Sequence, residues 1–135
     1  MKLGEIVNSS SEDIDVARVG FALQKLIEKV QRNFNTIEKC RVPIICAITG
    51  YAIGAAIDIM SPCDIRICSK DAKFSVKEVD IGFCSDIGAI QRFPKVVGND
   101  SWAREMIYTG RFFDAEEACK NGLVSAVTNT KEECH

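Results

Sequence analysis

The sequence predicts one domain of the α/β class, and three observations support this prediction. The chain has 135 residues, 47% of them hydrophobic, which is enough for one buried core. It begins with the pattern of a long amphipathic helix, and a β-branched apolar run typical of a buried strand follows. Beyond them, helical and strand patterns alternate to the end of the chain, in the order helix, strand, strand, helix, helix, strand.

The first helix is predicted to begin at Ser10 and to end near Lys39. Ser10 and Asp13 have the spacing of a helix-capping pair. Apolar residues then recur every three or four positions: Val16, Val19, Leu23, Leu26, Ile27, Val30, Phe34 and Ile37. Because charged residues occupy the other face, we expect this apolar stripe to belong to the core.

Four short apolar segments are predicted as strands, namely residues 42–50, 64–69, 72–76 and 125–127. A helix is expected after Gly54, and another between Asn99 as its cap and Gly110 after its end. Asp114 and Glu117 form a capping pair for the last helix, which stops at Asn121 and Gly122. No linker or repeat divides the chain, so residues 1–135 are expected to form one domain.

The composition excludes several classes of function. The chain has 17 basic and 19 acidic residues, a net charge of −2 and no long run of either sign. Binding to nucleic acid or to a membrane surface is therefore not expected, and no apolar stretch is long enough to span a membrane. The seven cysteines have no CxxC spacing and no secretory segment precedes them. Free thiols in a reducing compartment, and no metal site, are the expectation.

Acid–base chemistry, if the chain performs it, must depend on Asp, Glu, Lys, Tyr or Cys side chains. The one histidine, His135, is the last residue, so an oriented catalytic imidazole is not expected. Asp58 stands in an apolar, small-residue run after Gly50 and Gly54, and Glu78 and Asp86 lie in a second apolar stretch. Desolvation in such surroundings raises the pKa of a carboxyl group towards neutrality. Asp64 and Asp80 are expected to be structural, as caps or ion-pair partners.

The glycines before Asp58 allow two interpretations. A tight turn into a helix presents backbone N–H groups that suit an anion or a developing oxyanion. The spacing of Gly50 and Gly54 alone is also compatible with a simple packing turn.

The segment Gly50–Gly98 resembles the crotonase superfamily of enoyl-CoA hydratases and isomerases. The motifs "CDIR", "KEVDIG" and "QRFPK" carry the resemblance, which extends from about Met1 to Val127. Within the superfamily the sequence is most similar to the Δ3,5-Δ2,4-dienoyl-CoA isomerases. The resemblance implies a spiral of ββα units that assembles into homotrimers or hexamers, and an acyl-CoA thioester substrate. It implies no metal or redox cofactor, because coenzyme A is part of the substrate.

The resemblance also assigns roles to particular residues. Glu78 and Asp86 are the acid–base pair that moves a proton from C2 to C6, and Asp58 is the third acid of the pocket. The enolate oxygen is held by backbone N–H groups at Gly54 and Ala55. Asp86 favours the dienoyl isomerases, because hydratases have acids only at the other two positions.

Two departures from the family pattern keep alternatives open. Gly54-Ala55-Ala56 stands where the family has three glycines. The upstream loop with the second oxyanion donor and the C-terminal helices are missing, so the chain is expected to be a core truncated at both ends, with little activity by itself. An enoyl-CoA hydratase, a Δ3-Δ2-enoyl-CoA isomerase and a non-catalytic binding or oligomerisation module are the alternatives. The resemblance implies a mitochondrial or peroxisomal location, although no targeting segment is recognised.

Overall fold

Helix α1 (Val16–Glu38) is the first element of the computed structural model, which describes residues 15–134. The Asp15 side chain caps the helix by accepting a hydrogen bond from the N–H of Ala17 at 3.0 Å. The predicted start at Ser10 lies outside the described residues, whereas the predicted end at Lys39 is confirmed. No helix within residues 15–134, including the 23 residues of α1, combines the length and apolarity needed to cross a bilayer.

The apolar stripe of α1 is less buried than the sequence suggests. No residue of the helix is fully buried, and Val16 is 83% exposed. The other stripe residues are half-buried. The expectation that the stripe belongs to the core is therefore wrong, because α1 lies along the outside of the domain rather than between two layers.

Within residues 15–134, six strands form two sheets of three. The strands are β1 (Ile45–Ile48), β2 (Tyr51–Ile53), β3 (Ile65–Ser69), β4 (Lys73–Ser75), β5 (Phe113–Asp114) and β6 (Ala126–Thr128). One sheet is parallel with the order β1-β3-β6, and the other has the order β2-β4-β5 with β5 antiparallel. Gly50, with φ +66°, makes the corner at which the chain leaves the first sheet for the second.

Helices follow each pair of strands. They are α2 (Ala55–Met60), α3 (Ala89–Val97), α4 (Asp100–Thr109) and α5 (Ala115–Lys120), with 3₁₀ turns at Glu78–Ile81 and Glu132–Cys134. The order β1-β2-α2 and then β3-β4-α3 gives two successive ββα units. This arrangement confirms the predicted α/β spiral.

The predicted caps of the last two helices are confirmed. The Asn99 side chain accepts from the N–H of Trp102 at 3.2 Å, and Gly110 ends α4 in the left-handed conformation. The Asp114 side chain accepts from the N–H of Glu117 at 2.9 Å. Local sequence is sufficient for these boundaries, because a cap satisfies the free N–H groups of its own first turn.

The sequence analysis missed β2, β5 and α3. Strands β2 and β5 have three and two residues, too few for a periodic pattern. Helix α3 lies in the apolar stretch that contains Glu78 and Asp86, whose many small residues are more typical of a loop, and it includes Pro94. Proline removes one hydrogen bond from a helix interior, and burial of Ala89, Phe93 and Val97 against the core offsets that loss.

Four aromatic side chains form the centre of the core. Phe74 stacks on Phe113 with ring centroids 5.3 Å apart, and Trp102 meets Phe113 edge-on at 5.0 Å. Phe93 lies 5.5 Å from Trp102. The cluster therefore joins β4 and β5 to α3 and α4, the elements on either side of the segment that contains Glu78 and Asp86.

Phe113→Ala should lower the free energy of unfolding by about 3–5 kcal/mol, because it empties the middle of this cluster. The neighbouring Phe112 is the matched control, since it is 47% exposed whereas Phe113 is 2% exposed. Phe112→Ala should cost no more than about 1 kcal/mol, chiefly through its contact with the Lys77 ammonium. Urea denaturation measures both values, and equal losses would contradict this account of the core.

Candidate active site

Asp58 is a fully buried acid on α2, the short helix that follows Gly54. Its Oδ1 accepts a hydrogen bond of 2.5 Å from the N–H of Ala89, the first residue of α3. Its Oδ2 is buried and has no hydrogen-bond partner within residues 15–134. One oxygen therefore fixes the carboxyl group in place, while the other is left without a hydrogen bond.

Burial raises the pKa of Asp58 to about 6 from its ordinary value of 3.8. The negative charges of Glu78 and Asp86 raise this pKa further, whereas the Ala89 hydrogen bond and the Arg92 charge oppose the rise. Glu78 and Asp86 are thus both close enough to Asp58 to influence its ionisation. Asp58 is consequently able to gain or lose a proton close to neutral pH.

Glu78 opens the 3₁₀ turn after β4 and lies against the start of α2. A Cβ atom placed on Gly54 would be 3.2 Å from Glu78 Oε1, so the carboxylate packs directly on this glycine. The pairing of Ile53 with Ser75 in parallel strands brings these two segments together. Glu78 Oε2 is buried without a hydrogen-bond partner among the described residues.

The structure corrects one of the two predicted oxyanion donors. The N–H of Gly54 donates to the carbonyl oxygen of Ser75 at 2.9 Å, so this proton is already used in strand pairing. Ala55 is the first residue of α2 and is exposed, and its N–H has no acceptor within residues 15–134. Of the two positions, only Ala55 is left as a possible donor to a bound ligand.

Asp86 is half-buried in the turn before α3. Its carbonyl oxygen accepts a 2.6 Å hydrogen bond from Gln31 Nε2, which ties the turn to α1. The expected structural roles of the other acids are confirmed. Asp64 Oδ2 accepts from the N–H of Ile44 at 2.8 Å, and Asp80 pairs with Lys77 at 2.6 Å.

A cavity of about 250 Å³ adjoins Glu78. It is lined by Val76, Glu78, Val79, Phe83, Cys84, Ser85, Ile90, Ile107 and Tyr108. Most of this wall is apolar and suits a hydrocarbon chain. The assignment of Glu78 and Asp86 as an acid–base pair predicts that both carboxylates face one cavity. Glu78 belongs to this lining but Asp86 does not, so the prediction is wrong for this cavity.

Sequence reasoning overlooked two residues that control the acids, Ala89 and Arg92. Arg92 contacts Glu38 at 3.3 Å and also donates to the Asn35 side chain, so α1 holds its guanidinium in place. Both residues belong to α3, which was interpreted as a loop. The spacing of Ala89, Phe93 and Val97 is the signal that could have revealed the helix.

The thiols show no sign of nucleophilic activation. All seven cysteines are free in the structure, and burial raises the pKa of Cys46 to about 11 and that of Cys68 to about 12. Both thiols are therefore protonated near neutral pH and are poor nucleophiles. No group of three or more His, Cys, Asp or Glu side chains within residues 15–134 has the geometry to hold a metal ion.

Comparison with known proteins agrees with the resemblance inferred from the sequence. Residues 9–134 match the family described as Enoyl-CoA hydratase/isomerase. The mitochondrial Δ3,5-Δ2,4-dienoyl-CoA isomerase of Rattus norvegicus is 49% identical over 118 residues, which are 87% of this chain and 36% of that protein. The peroxisomal protein of the same name from Arabidopsis thaliana is 43% identical over 97% of this chain and 47% of its own length.

Solved structures show the same fold. An enoyl-CoA hydratase/isomerase from Cupriavidus metallidurans CH34 has a TM-score of 0.81 and 29% identity, over 98% of this chain and 46% of that one. A putative enoyl-CoA hydratase from Thermobifida fusca YX has a TM-score of 0.79 and 28% identity, over 96% of this chain and 50% of that one. This chain therefore spans half or less of the length of each of these relatives.

Asp58 should make the stability of the chain depend on pH. Its pKa is higher in the folded state, so its protonation favours folding at low pH, and this contribution is lost as the pH rises from 3.8 through about 6. The difference between the two values corresponds to about 3 kcal/mol. Asp58→Asn keeps an oxygen for Ala89 and does not titrate. Urea denaturation should show that the free energy of unfolding of the variant, relative to that of the original chain, rises by about 3 kcal/mol between about pH 4 and pH 7. If the difference between the two free energies does not change with pH, the raised pKa is contradicted.

Gly54→Ala should destabilise the chain by about 1–3 kcal/mol and displace Glu78. Gly54 has φ +56°, a conformation that alanine adopts only with strain, and the new Cβ would crowd Glu78 Oε1. Gly20→Ala in α1 is the control, because a Cβ there meets no atom within 4 Å. That change should stabilise the helix by up to about 1 kcal/mol. If both variants melt above the original chain, the tight packing at Gly54 is refuted.

Proposed function

We propose that this chain, which belongs to the enoyl-CoA hydratase/isomerase family, supplies the acid–base residues of an enzyme that converts 3,5-dienoyl-CoA into 2,4-dienoyl-CoA. One observation carries the proposal. Asp58 and Glu78 each have a buried carboxylate oxygen without a partner among the described residues, Glu78 lines an apolar cavity, and the charges of Glu78 and Asp86 both act on Asp58. The identity of 49% to a named dienoyl-CoA isomerase supports the same reaction.

The proposed reaction moves one proton along the acyl chain. A carboxylate removes a proton from C2 of the 3,5-dienoyl thioester, and the electron pair spreads over the chain and the thioester oxygen. The other carboxyl group then delivers a proton to C6, which leaves double bonds at C2 and C4. Glu78 and Asp86 are proposed for these two steps, and their order is left open.

Asp58 is proposed as the acid that tunes the other two. Its pKa of about 6 means that its charge changes just below neutral pH. The charges of Glu78 and Asp86 act on this carboxyl group, so the other two acids lie within electrostatic reach of Asp58. The Ala89 hydrogen bond keeps this carboxyl group from rotating towards the substrate.

Stabilisation of the enolate oxygen is proposed to come in part from the N–H of Ala55. This donor stands at the start of α2, on the same turn against which Glu78 packs. A single donor is worth about 10²–10³ in rate in enzymes that use oxyanion holes. The proposed chemistry is proton transfer alone, so it requires no metal ion and no redox cofactor. Coenzyme A takes part only as a portion of the substrate.

A hydratase is the second candidate, because a crotonyl-CoA hydratase from Syntrophomonas wolfei is 36% identical over 76% of this chain. The position of Asp86 favours the isomerase, since its charge acts on Asp58 and a hydratase needs no third acid. A non-catalytic module would have no need for two unpaired buried carboxylate oxygens.

The location and assembly of the protein are also proposals. The relatives named above are described as mitochondrial and peroxisomal, and fatty-acid oxidation in one of these organelles is the corresponding proposal for this chain. Homotrimers or hexamers, as the resemblance implies, would be detected by light scattering. Acyl-CoA thioesters are the proposed substrates.

The test of catalysis uses a chimera in which this chain replaces the matching segment of the Rattus norvegicus relative. The chimera should convert 3,5-dienoyl-CoA, followed by the rise in absorbance of the conjugated 2,4-diene. Glu78→Gln and Asp86→Asn should each lower kcat by about 10²–10⁴, the usual contribution of a general acid or base.

Lys77→Ala is the matched control, because Lys77 adjoins Glu78 in the chain but forms an ion pair with Asp80 at the surface. It should change kcat little. If the chimera hydrates 2-enoyl-CoA and leaves the 3,5-diene unchanged, the isomerase proposal is wrong and the hydratase is the function supported. A folded chimera that binds CoA esters without either reaction would favour the non-catalytic alternative.

A further inference from the structure

We propose that Arg92 is a positioning residue of the site, held by helix α1 so that its positive charge stays beside the peptide that binds Asp58. The inference deepens the proposed function and rests on it, since it takes Asp58 as one of the acids of the reaction. Arg92 takes no part in the proton transfers proposed above and acts on them through Asp58. Helix α1 thereby belongs to the site although it supplies none of the three acids.

The first observation is that two side chains of α1 hold the Arg92 guanidinium. Its Nη2 donates a hydrogen bond to Asn35 Oδ1, and its Nε lies 3.3 Å from Glu38 Oε2. The two partners are three residues apart, so they stand on the same face of the helix. The side chain of Arg92 is only 16% exposed, whereas that of Glu38 is 62% exposed. The guanidinium therefore has little freedom to turn towards solvent.

The second observation is the place of the guanidinium at the start of α3. A Cβ atom on Gly88 would collide with Arg92 Nη1, so the guanidinium lies directly against this glycine. The backbone N–H of Arg92 also donates to the carbonyl oxygen of Gly88 at 3.0 Å. The next residue, Ala89, donates its N–H to Asp58 Oδ1. The positive charge thus contacts the residue that adjoins the donor to Asp58.

The third observation is that charged groups on three segments act on Asp58. They are Glu78 in the turn after β4, Asp86 in the turn before α3, and Arg92 in α3. Burial is the main cause of the raised pKa of Asp58, the two negative charges add to it, and the Arg92 charge opposes it. Because Asp58 has no exposed surface and Arg92 has little, solvent ions screen their attraction less than that of a surface pair.

Helix α1 holds this region at a second point. Gln31 Nε2, one turn before Asn35, donates to the carbonyl oxygen of Asp86 at 2.6 Å. The segment from Asp86 to Arg92 is therefore tied at both ends to the same helix, and it contains the N–H group that binds Asp58. An outer, half-buried helix in this way fixes where the positive charge lies relative to a buried acid.

The test follows the carboxyl carbon of Asp58 in the full chain by NMR as the pH is varied, with Asp58→Asn to assign the signal. Arg92→Gln removes the charge and should raise the pKa of Asp58 by about one unit, the scale of one nearby charge. Asn35→Ala frees one end of the guanidinium and should raise this pKa by a smaller amount. Lys95→Gln is the matched control, because it removes a positive charge from an exposed position one turn further along α3. It should leave the pKa of Asp58 within about 0.2 units.

Two NMR outcomes would overturn the inference. One is a pKa of Asp58 that does not rise in Arg92→Gln, and a lower melting temperature without that rise would make Arg92 a purely structural residue. The other is an equal rise in Lys95→Gln, which would mean that any basic residue of α3 has the same effect. If Arg92→Gln does not fold, Asn35→Ala decides between the same outcomes, since it leaves the arginine in the chain.

The pH dependence of kcat in the chimera separates this inference from the proposed function. The rate should change around the pKa of Asp58, about 6, and the midpoint should move to higher pH in Arg92→Gln but not in Lys95→Gln. If the NMR value moves and the rate profile does not, Arg92 has no role in the reaction, and the inference is also overturned. A chimera that does not convert 3,5-dienoyl-CoA would contradict the proposed function, whereas the NMR titration would still report whether Arg92 controls Asp58.

Discussion

The hydrogen bond from the N–H of Ala89 to the buried carboxyl group of Asp58 is the contact on which the site depends. It joins α2 of the first ββα unit to α3 of the second. A carboxyl group without exposed surface needs such a donor, because burial removes its hydration. The bond satisfies one oxygen only, and the second oxygen is buried without a partner within residues 15–134.

The local geometry around this bond explains the glycine before Ala89. Gly88 has φ +141°, and a Cβ there would lie within the Arg92 guanidinium. Glycine thus allows Arg92 to cross the start of α3 and to reach Asn35 and Glu38 on α1. The positive charge near Asp58 moderates the rise of its pKa, so the acid remains ionisable near neutral pH instead of being permanently protonated.

The two sheets bring the remaining parts of the site together. Register between β2 and β4 sets Gly54 beside Glu78, although the two residues are far apart in the chain. Helix α1 adds the outer support, through Gln31 to the Asp86 turn and through Asn35 and Glu38 to Arg92. Because α1 is only half-buried, these polar contacts matter more than its apolar stripe for the geometry of the acids.

The sequence by itself determined the features that depend on neighbours along the chain. Periodicity and capping residues were sufficient for α1, α4 and α5, and the apolar runs were sufficient for β1, β3, β4 and β6. The three acids and the family also followed from local motifs. The very short strands β2 and β5, and α3 with its Pro94, were beyond this reasoning, since contacts distant in sequence stabilise them.

Only the tertiary structure decided how the acids are used. Strand pairing consumes the N–H of Gly54, which a local motif cannot show. Packing of α3 on α2 buries Asp58 and raises its pKa. The path of the chain after β4 places Glu78 and Ser85 in the wall of the cavity, whereas Asp86 is not part of that wall. Hydrogen-bond satisfaction, desolvation and cavity shape depend on atoms brought together from distant parts of the chain, so they emerge only when the chain has folded.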